Sequence, residues 1–128
     1  MSKQVSKKEL QDLIYTDELT RINNLRYLRE QIPELLVRAE KQGDSVAFLL
    51  FDIDDFKKIN DSFGHLVGDK ALIHFIKTIT QSMDPGGIAI RYAGDEFILV
   101  MPKMDKQKAQ QFGEDIQKSI TQTSLDVD

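Results

Sequence analysis

Two short apolar runs meet at Gly94-Asp95, and no other stretch restricts the fold as tightly. On the incoming side Ile88, Ile90 and Tyr92 alternate with other residues, and on the outgoing side Phe97, Leu99 and Met101 do the same. A period of two belongs to paired strands, so residues 88–92 and 97–101 read as a hairpin closed by a Gly-Asp turn. Its tip carries Asp95 and Glu96. Acidic tips are ordinarily solubilising turns, and the heptad from Arg91 to Phe97 taken alone favours that structural reading. The case for chemistry comes from upstream.

Residues 46–51 (Val-Ala-Phe-Leu-Leu-Phe) form a continuous apolar run, the pattern of a central strand covered on both faces. The run leads straight into Asp52, Asp54 and Asp55. Carboxylates at the end of a buried strand are costly unless paired, hydrogen-bonded or bound to a cation. For Asp54 and Asp55, capping of a short helix over 55–59 explains the acid as well as function does. Asp52 is harder to explain that way. A polar loop from Asn60 to Asp69, containing Gly64 and Gly68, then precedes a helix with Leu72, Phe75, Ile76, Ile79 and Met83 on one stripe. In the loop His65 lies near Asn60 and Asp69, where it could meet a ligand; His74 falls opposite the stripe, on the solvent side.

The flanks are less informative. Residues 1–15 read as a lead-in helix or linker with Leu10, Leu13 and Ile14 at helical spacing, and residues 16–128 as the domain proper. Asp17 to Thr20 is a turn. Asn23 or Asn24 caps a helix whose core face is Leu25, Leu28, Ile32, Leu35, Leu36 and Ala39, kinked or broken at Pro33 and ended by Gly43-Asp44. Asp84 to Gly87 turns into the hairpin, Pro102 ends it, and Asp105 caps a last helix bearing Ala109, Phe112, Ile116 and Ile120.

The order strand, helix, hairpin, helix predicts an α+β sandwich of the ferredoxin-like, split βαβ kind. A right-handed crossover makes strand 46–53 parallel to strand 88–92, with strand 97–101 between them and antiparallel to both. Asp52 and Asp95 then come to the same edge of the sheet. Two carboxylates that close repel unless a cation sits between them, so the topology predicts a metal site. The chain has no cysteine and only two histidines, which leaves oxygen ligands and a hard cation: Mg²⁺, or Mn²⁺ in its place. A formal charge of −4 argues against nucleic acid as a partner, while a polyphosphate can be held if a divalent cation neutralises it. The 128 residues suffice for one domain, no run is long enough to span a bilayer, and no signal-peptide pattern opens the chain; a cytoplasmic module without membrane contact is expected.

Four ordered motifs resemble the GGDEF domain family of diguanylate cyclases. Asp17-x-Leu19-Thr20 with Asn24 and Arg26 resembles the opening signature. The segment from Phe51 to Asp61 resembles the metal and nucleotide segment, Gly64-His65-x-x-Gly68-Asp69 the guanine loop, and Arg91 to Phe97 the segment that names the family. The resemblance implies the fold of nucleotide cyclase catalytic domains and a Mg²⁺-dependent joining of two GTP into cyclic di-GMP with release of pyrophosphate. It also implies a homodimer of facing half-sites and a sensor or regulatory domain in a parent protein. By position, Asp52, the carbonyl of Ile53 and Asp95 would hold the metal. Asn60 and Asp69 would bind guanine with His65 near the nucleotide, Lys57 would steady the phosphates, and Asp95 beside Glu96 would deprotonate the attacking 3′-hydroxyl.

The departures from the family pattern are specific. Ala93 stands for the first glycine of the naming segment, which is tolerable if its φ stays negative. Arg21 replaces a glycine and Leu25 an arginine of the opening signature. Asp84 and Gly87 occupy the two positions of the Arg-x-x-Asp inhibition motif, so feedback through that site is not expected. The family's last strand and helix, with the basic residues that contact the triphosphate, find no counterpart before Asp128. A truncated domain with an open edge on strand 46–53 is therefore expected. That gap keeps a second function open, a non-catalytic module that binds GTP or a protein partner. A receiver-like phosphoacceptor fails on the order of the elements.

Overall fold

The computed structural model describes residues 5–53 and 56–122, with side chains as far as Lys118. Among the described residues three strands form the sheet: β1 (Val46–Asp52), β2 (Ile88–Ala93) and β3 (Glu96–Pro102), in the order β1-β3-β2 with β3 antiparallel to both neighbours. This is the arrangement that the crossover rule requires. Among the described residues six helices accompany them: α1 (Lys7–Tyr15), α2 (Leu25–Glu30), α3 (Ile32–Gln42), α4 (Phe56–Phe63), α5 (His65–Gln81) and α6 (Lys106–Gln122). Among the described residues no helix is long and apolar enough to cross a membrane.

The core lies on both faces of β3. Phe97 packs with Leu72, Phe75 and Ile76 of α5, Leu99 with Ile79 and Ala89, and Met101 with Met104 and Ala109. On the opposite face Ile98 and Val100 join Ile90 and Ile32. Thus α4, α5 and α6 cover one side and α2 with α3 the other. Each large side chain removed from water here contributes about 1.5–3 kcal/mol. The strand expected to be covered on both faces, β1, is instead an edge strand: Leu50 is 73% exposed and Phe48 42%, while Leu49 and Phe51 face the core. On one face β1 packs against α6, while on the other Val46 alone of the described β1 residues joins the Ile32 cluster and Phe48 and Leu50 stay exposed, which the apolar run does not reveal.

Local chemistry sets the helix ends. Asn24 caps α2 by accepting from the Tyr27 amide at 3.1 Å. The long helix expected over 25–39 breaks at Gln31, and Pro33 enters the first turn of α3, where its missing N–H costs nothing. Leu36, placed on the core face by its spacing, is 39% exposed. Asp105 caps α6 through the Lys108 amide at 2.8 Å, and Ala109 of that helix is buried. The Ile120 side chain, and residues 125–128, lie outside the described residues.

The expected loop over 60–69 is mostly helix. Asn60 ends inside α4 and His65 begins α5, with Gly64 alone between them at φ 89. Glycine adopts that conformation without a Cβ clash, so one residue turns the chain. Polar residues around two glycines look like a loop, yet the Gly64 amide still bonds the Asn60 carbonyl at 2.8 Å and the Gly68 amide the Gly64 carbonyl at 3.1 Å.

Candidate functional site

The hairpin closes as expected. Ala93 pairs with Glu96 across a two-residue Gly94-Asp95 turn, and a bulge between Arg91 and Ala93 makes Tyr92 the extra residue. Ala93 does not take a positive φ, so the alanine sits where the family's glycine would without strain. Across the sheet Asp52 is the register partner of Glu96, and the Ile53 amide donates to the Asp95 carbonyl at 3.2 Å. Beneath this join Phe51 and Phe97 stack with centroids 5.4 Å apart. The end of β1 and the hairpin tip are one locus, as the topology required.

The carboxylates there are unpaired by charge. Asp52 and Glu96 are exposed and Asp95 half-buried, and none has an ion pair among the described residues. Among those residues no group of three or more His, Cys, Asp or Glu is placed to hold a metal ion. Asp54 and Asp55 lie outside them. What is present is an all-oxygen donor set: two carboxylates and the Ile53 carbonyl, which accepts from the Phe56 amide at 3.3 Å and keeps a second lone pair. That chemistry fits a hard divalent cation. Beside the tip a cleft of about 370 Å³ opens on the uncovered face, lined by Leu50 and Tyr92 as well as Asp52 and Glu96.

A second polar locus sits where α4 meets α5. Asn60 Oδ1 is buried and has no hydrogen-bond partner among the described residues. It lies directly over Gly68, where a built Cβ would overlap both Oδ1 and Cγ. Gly68 is thus glycine for close approach, its φ being ordinary. Asp69, the next residue, is half-buried. An unsatisfied buried amide oxygen costs about 1–3 kcal/mol and marks a position where a ligand donor can compensate. Asn60 thus lies against the residue that precedes Asp69 in the chain. Lys57 on α4 and His65 at the start of α5 are both exposed, without a hydrogen bond or ion pair among the described residues.

One pairing went unread in the sequence. Asp17 and Arg91 form an ion pair, Nη1 lying 3.2 Å from Oδ2 and 3.3 Å from Oδ1, while Arg91 Nε donates to the Gly94 carbonyl at 3.1 Å. Asp17 also accepts from the Thr20 amide at 2.9 Å and the Thr20 hydroxyl at 2.7 Å. Burial pushes the Asp17 carboxyl up, but the Thr20 donors and the Arg91 guanidinium outweigh it and hold the group below its ordinary value. Both residues stand in motifs, and the signal was their opposite charge in two segments that the sheet brings together. Arg21, which stands for a family glycine, has φ 64, a left-handed conformation that glycine adopts freely.

The chain is similar to known proteins. The family model described as "Diguanylate cyclase, GGDEF domain" matches residues 14–128. The chain is 44% identical over 91 residues to the response regulator PleD of Caulobacter vibrioides, covering 71% of this chain and 20% of PleD. It is 34% identical over 105 residues to the probable diguanylate cyclase DgcJ of Escherichia coli, covering 82% of this chain and 21% of DgcJ. It spans about a fifth of the length of these relatives. Among solved structures, the coiled coil and GGDEF domain of DgcB from Caulobacter crescentus in complex with c-di-GMP superposes with a TM-score of 0.85 at 25% identity, over 92% of this chain and 62% of that one. Diguanylate cyclase SiaD of Pseudomonas aeruginosa, solved with its activator SiaC, gives 0.81 at 28% identity, over 91% and 45%. The fold, the ordered motifs and these matches agree: the chain belongs to the GGDEF domain family, and its relatives include diguanylate cyclases.

Proposed function

We propose that this domain binds GTP with Mg²⁺ and, facing a second copy, joins two GTP into cyclic di-GMP. The observation that carries the reading is the join of β1 to the hairpin tip, where Asp52 opposes Glu96 and the Ile53 amide holds the Asp95 carbonyl. Asp52, the Ile53 carbonyl and Asp95 would hold the cation. Bound Mg²⁺ supplies charge neutralisation at the α-phosphate and acidifies the attacking hydroxyl.

The chain's own groups do the rest. Asn60 and Asp69 offer acceptor and donor positions to the guanine edge, a match that penalises adenine by leaving buried polar groups unpaired. Lys57 steadies phosphate charge and His65 stands near the nucleotide. Asp95, flanked by Glu96, accepts the proton of the 3′-hydroxyl as its oxygen bonds to the α-phosphorus of the facing GTP. The bond from that phosphorus to the β-phosphate oxygen breaks, and pyrophosphate leaves. Because each half-site uses a nucleotide from the other, two copies are needed. With Asp84 and Gly87 at the inhibition-motif positions, feedback through that site is absent. The domain works as the cytoplasmic output of a longer protein whose regulatory part sets the encounter of two copies.

Mass spectrometry of the full-length protein incubated with GTP and Mg²⁺ tests the reading. Cyclic di-GMP is expected, with activity per domain falling on dilution, and Asp95→Asn should remove product while leaving the thermal transition in place. GTP binding without any product would establish the non-catalytic alternative instead.

A further inference from the structure

We propose that Arg91 and Asp17 are positioning residues that fix the Gly94-Asp95 turn from the segment entering the domain. This rests on the reading of Asp95 and Glu96 as the reactive groups of the tip.

The sheet alone does not hold that turn. The β2–β3 ladder is interrupted by the bulge between Arg91 and Ala93, so the chain enters the turn with one register pair, Ala93 with Glu96, beyond the irregularity. Two tethers remain. From β1 the Ile53 amide bonds the Asp95 carbonyl at 3.2 Å, and from the opposite side Arg91 Nε bonds the Gly94 carbonyl at 3.1 Å. These are consecutive carbonyls, so together they fix the two peptide groups on either side of the Asp95 Cα.

Arg91 in turn is held at its other end. Its Nη1 meets both oxygens of Asp17, with the side chains only 21% and 19% exposed, a setting in which an ion pair is less screened than on an open surface. A planar guanidinium can satisfy the carboxylate and the carbonyl at once from different nitrogens; an ammonium cannot hold both in that geometry. Asp17 is itself fixed by Thr20 and by backbone bonds to Ile22 at 2.7 Å and Arg21 at 2.9 Å. The same turn is pinned to β2, the Asn23 amide bonding the Ala89 carbonyl at 3.1 Å and the Arg91 amide the Asn23 carbonyl at 2.9 Å. It is also tied to α1, since Asn24 Nδ2 donates to the Ile14 carbonyl at 2.8 Å and the Asn24 amide to Tyr15 at 2.9 Å. A continuous strut thus runs from the end of α1 through Asp17 and Arg91 to the tip.

Hydrogen exchange on the full-length protein tests the strut without relying on turnover. In Arg91→Lys the amides of residues 94–96 should exchange roughly tenfold faster than in the wild type, while those of α5 stay unchanged. Asp17→Asn, which leaves Arg91 able to hold Gly94, should give a smaller rise confined to the same amides. Equal acceleration in α5 and the tip, or no acceleration at the tip in either variant, would overturn the proposal. If the wild type forms cyclic di-GMP, kcat of Arg91→Lys should fall roughly tenfold with KM for GTP little changed, because the guanine groups lie on other elements; a change in KM alone would count against positioning. If the wild type forms no product, the cyclase reading fails and the exchange data still decide on the strut.

Discussion

Asp17 carries more of this domain than its place in a turn suggests. Its carboxylate takes two bonds from Thr20 and one charge from Arg91, and these outweigh the cost of its burial. A carboxyl held below its ordinary value of 3.8 stabilises the fold fully above that value and loses the contribution as pH falls through the lowered one. Stability of the wild type should therefore drop more steeply than that of Asp17→Asn as pH falls below the ordinary value of 3.8 and through the lowered one, and the two should converge at the acid end. Urea unfolding across that range checks it; parallel curves would mean that the carboxylate is not held as described. Other single residues show the same economy of position. Arg21 occupies a left-handed conformation and Gly68 a contact with Asn60 that excludes a Cβ. The first departs from the family pattern and the second keeps it.

At the level of elements, the hairpin, the crossover and the meeting of Asp52 with the tip were legible because period-two patterning and handedness leave few alternatives. Which strand would be central was partly legible. Residues 46–51 and 97–101 are both apolar, yet β3 is buried on both faces and β1 on one, since burial depends on what lies beside a strand. The loop over 60–69 was misread for a related reason, because polar residues near glycines suit a helix–helix corner as well as a loop. The Asp17–Arg91 contact needed the third dimension. The difference between the strands has an energetic counterpart. Leu99→Ala should cost about 2–5 kcal/mol by removing a fully buried side chain. Leu50→Ala, at a position 73% exposed, should stay within about 0.5 kcal/mol. Denaturant titration of both variants checks this, and similar losses would mean that β1 is covered in solution.

For the whole molecule, the sheet serves chiefly to bring distant acid together. With a formal charge of −4, the domain in the proposed function takes up a triphosphate together with a neutralising cation. The α4–α5 corner and the β1–tip join are the two ends of one proposed nucleotide site, with the strut from α1 entering on the tip side. The claim on which everything else depends is that Asp52 and Asp95 serve a single cation. Mn²⁺ binding followed by electron paramagnetic resonance, in the presence of a non-hydrolysable GTP analogue, measures this on the full-length protein carrying Asp52→Asn, Asp95→Asn and both. Each single change should weaken binding by roughly tenfold or more, and the double variant should lose little beyond the worse of the two. Losses that multiply, or an affinity indifferent to either change, would contradict it.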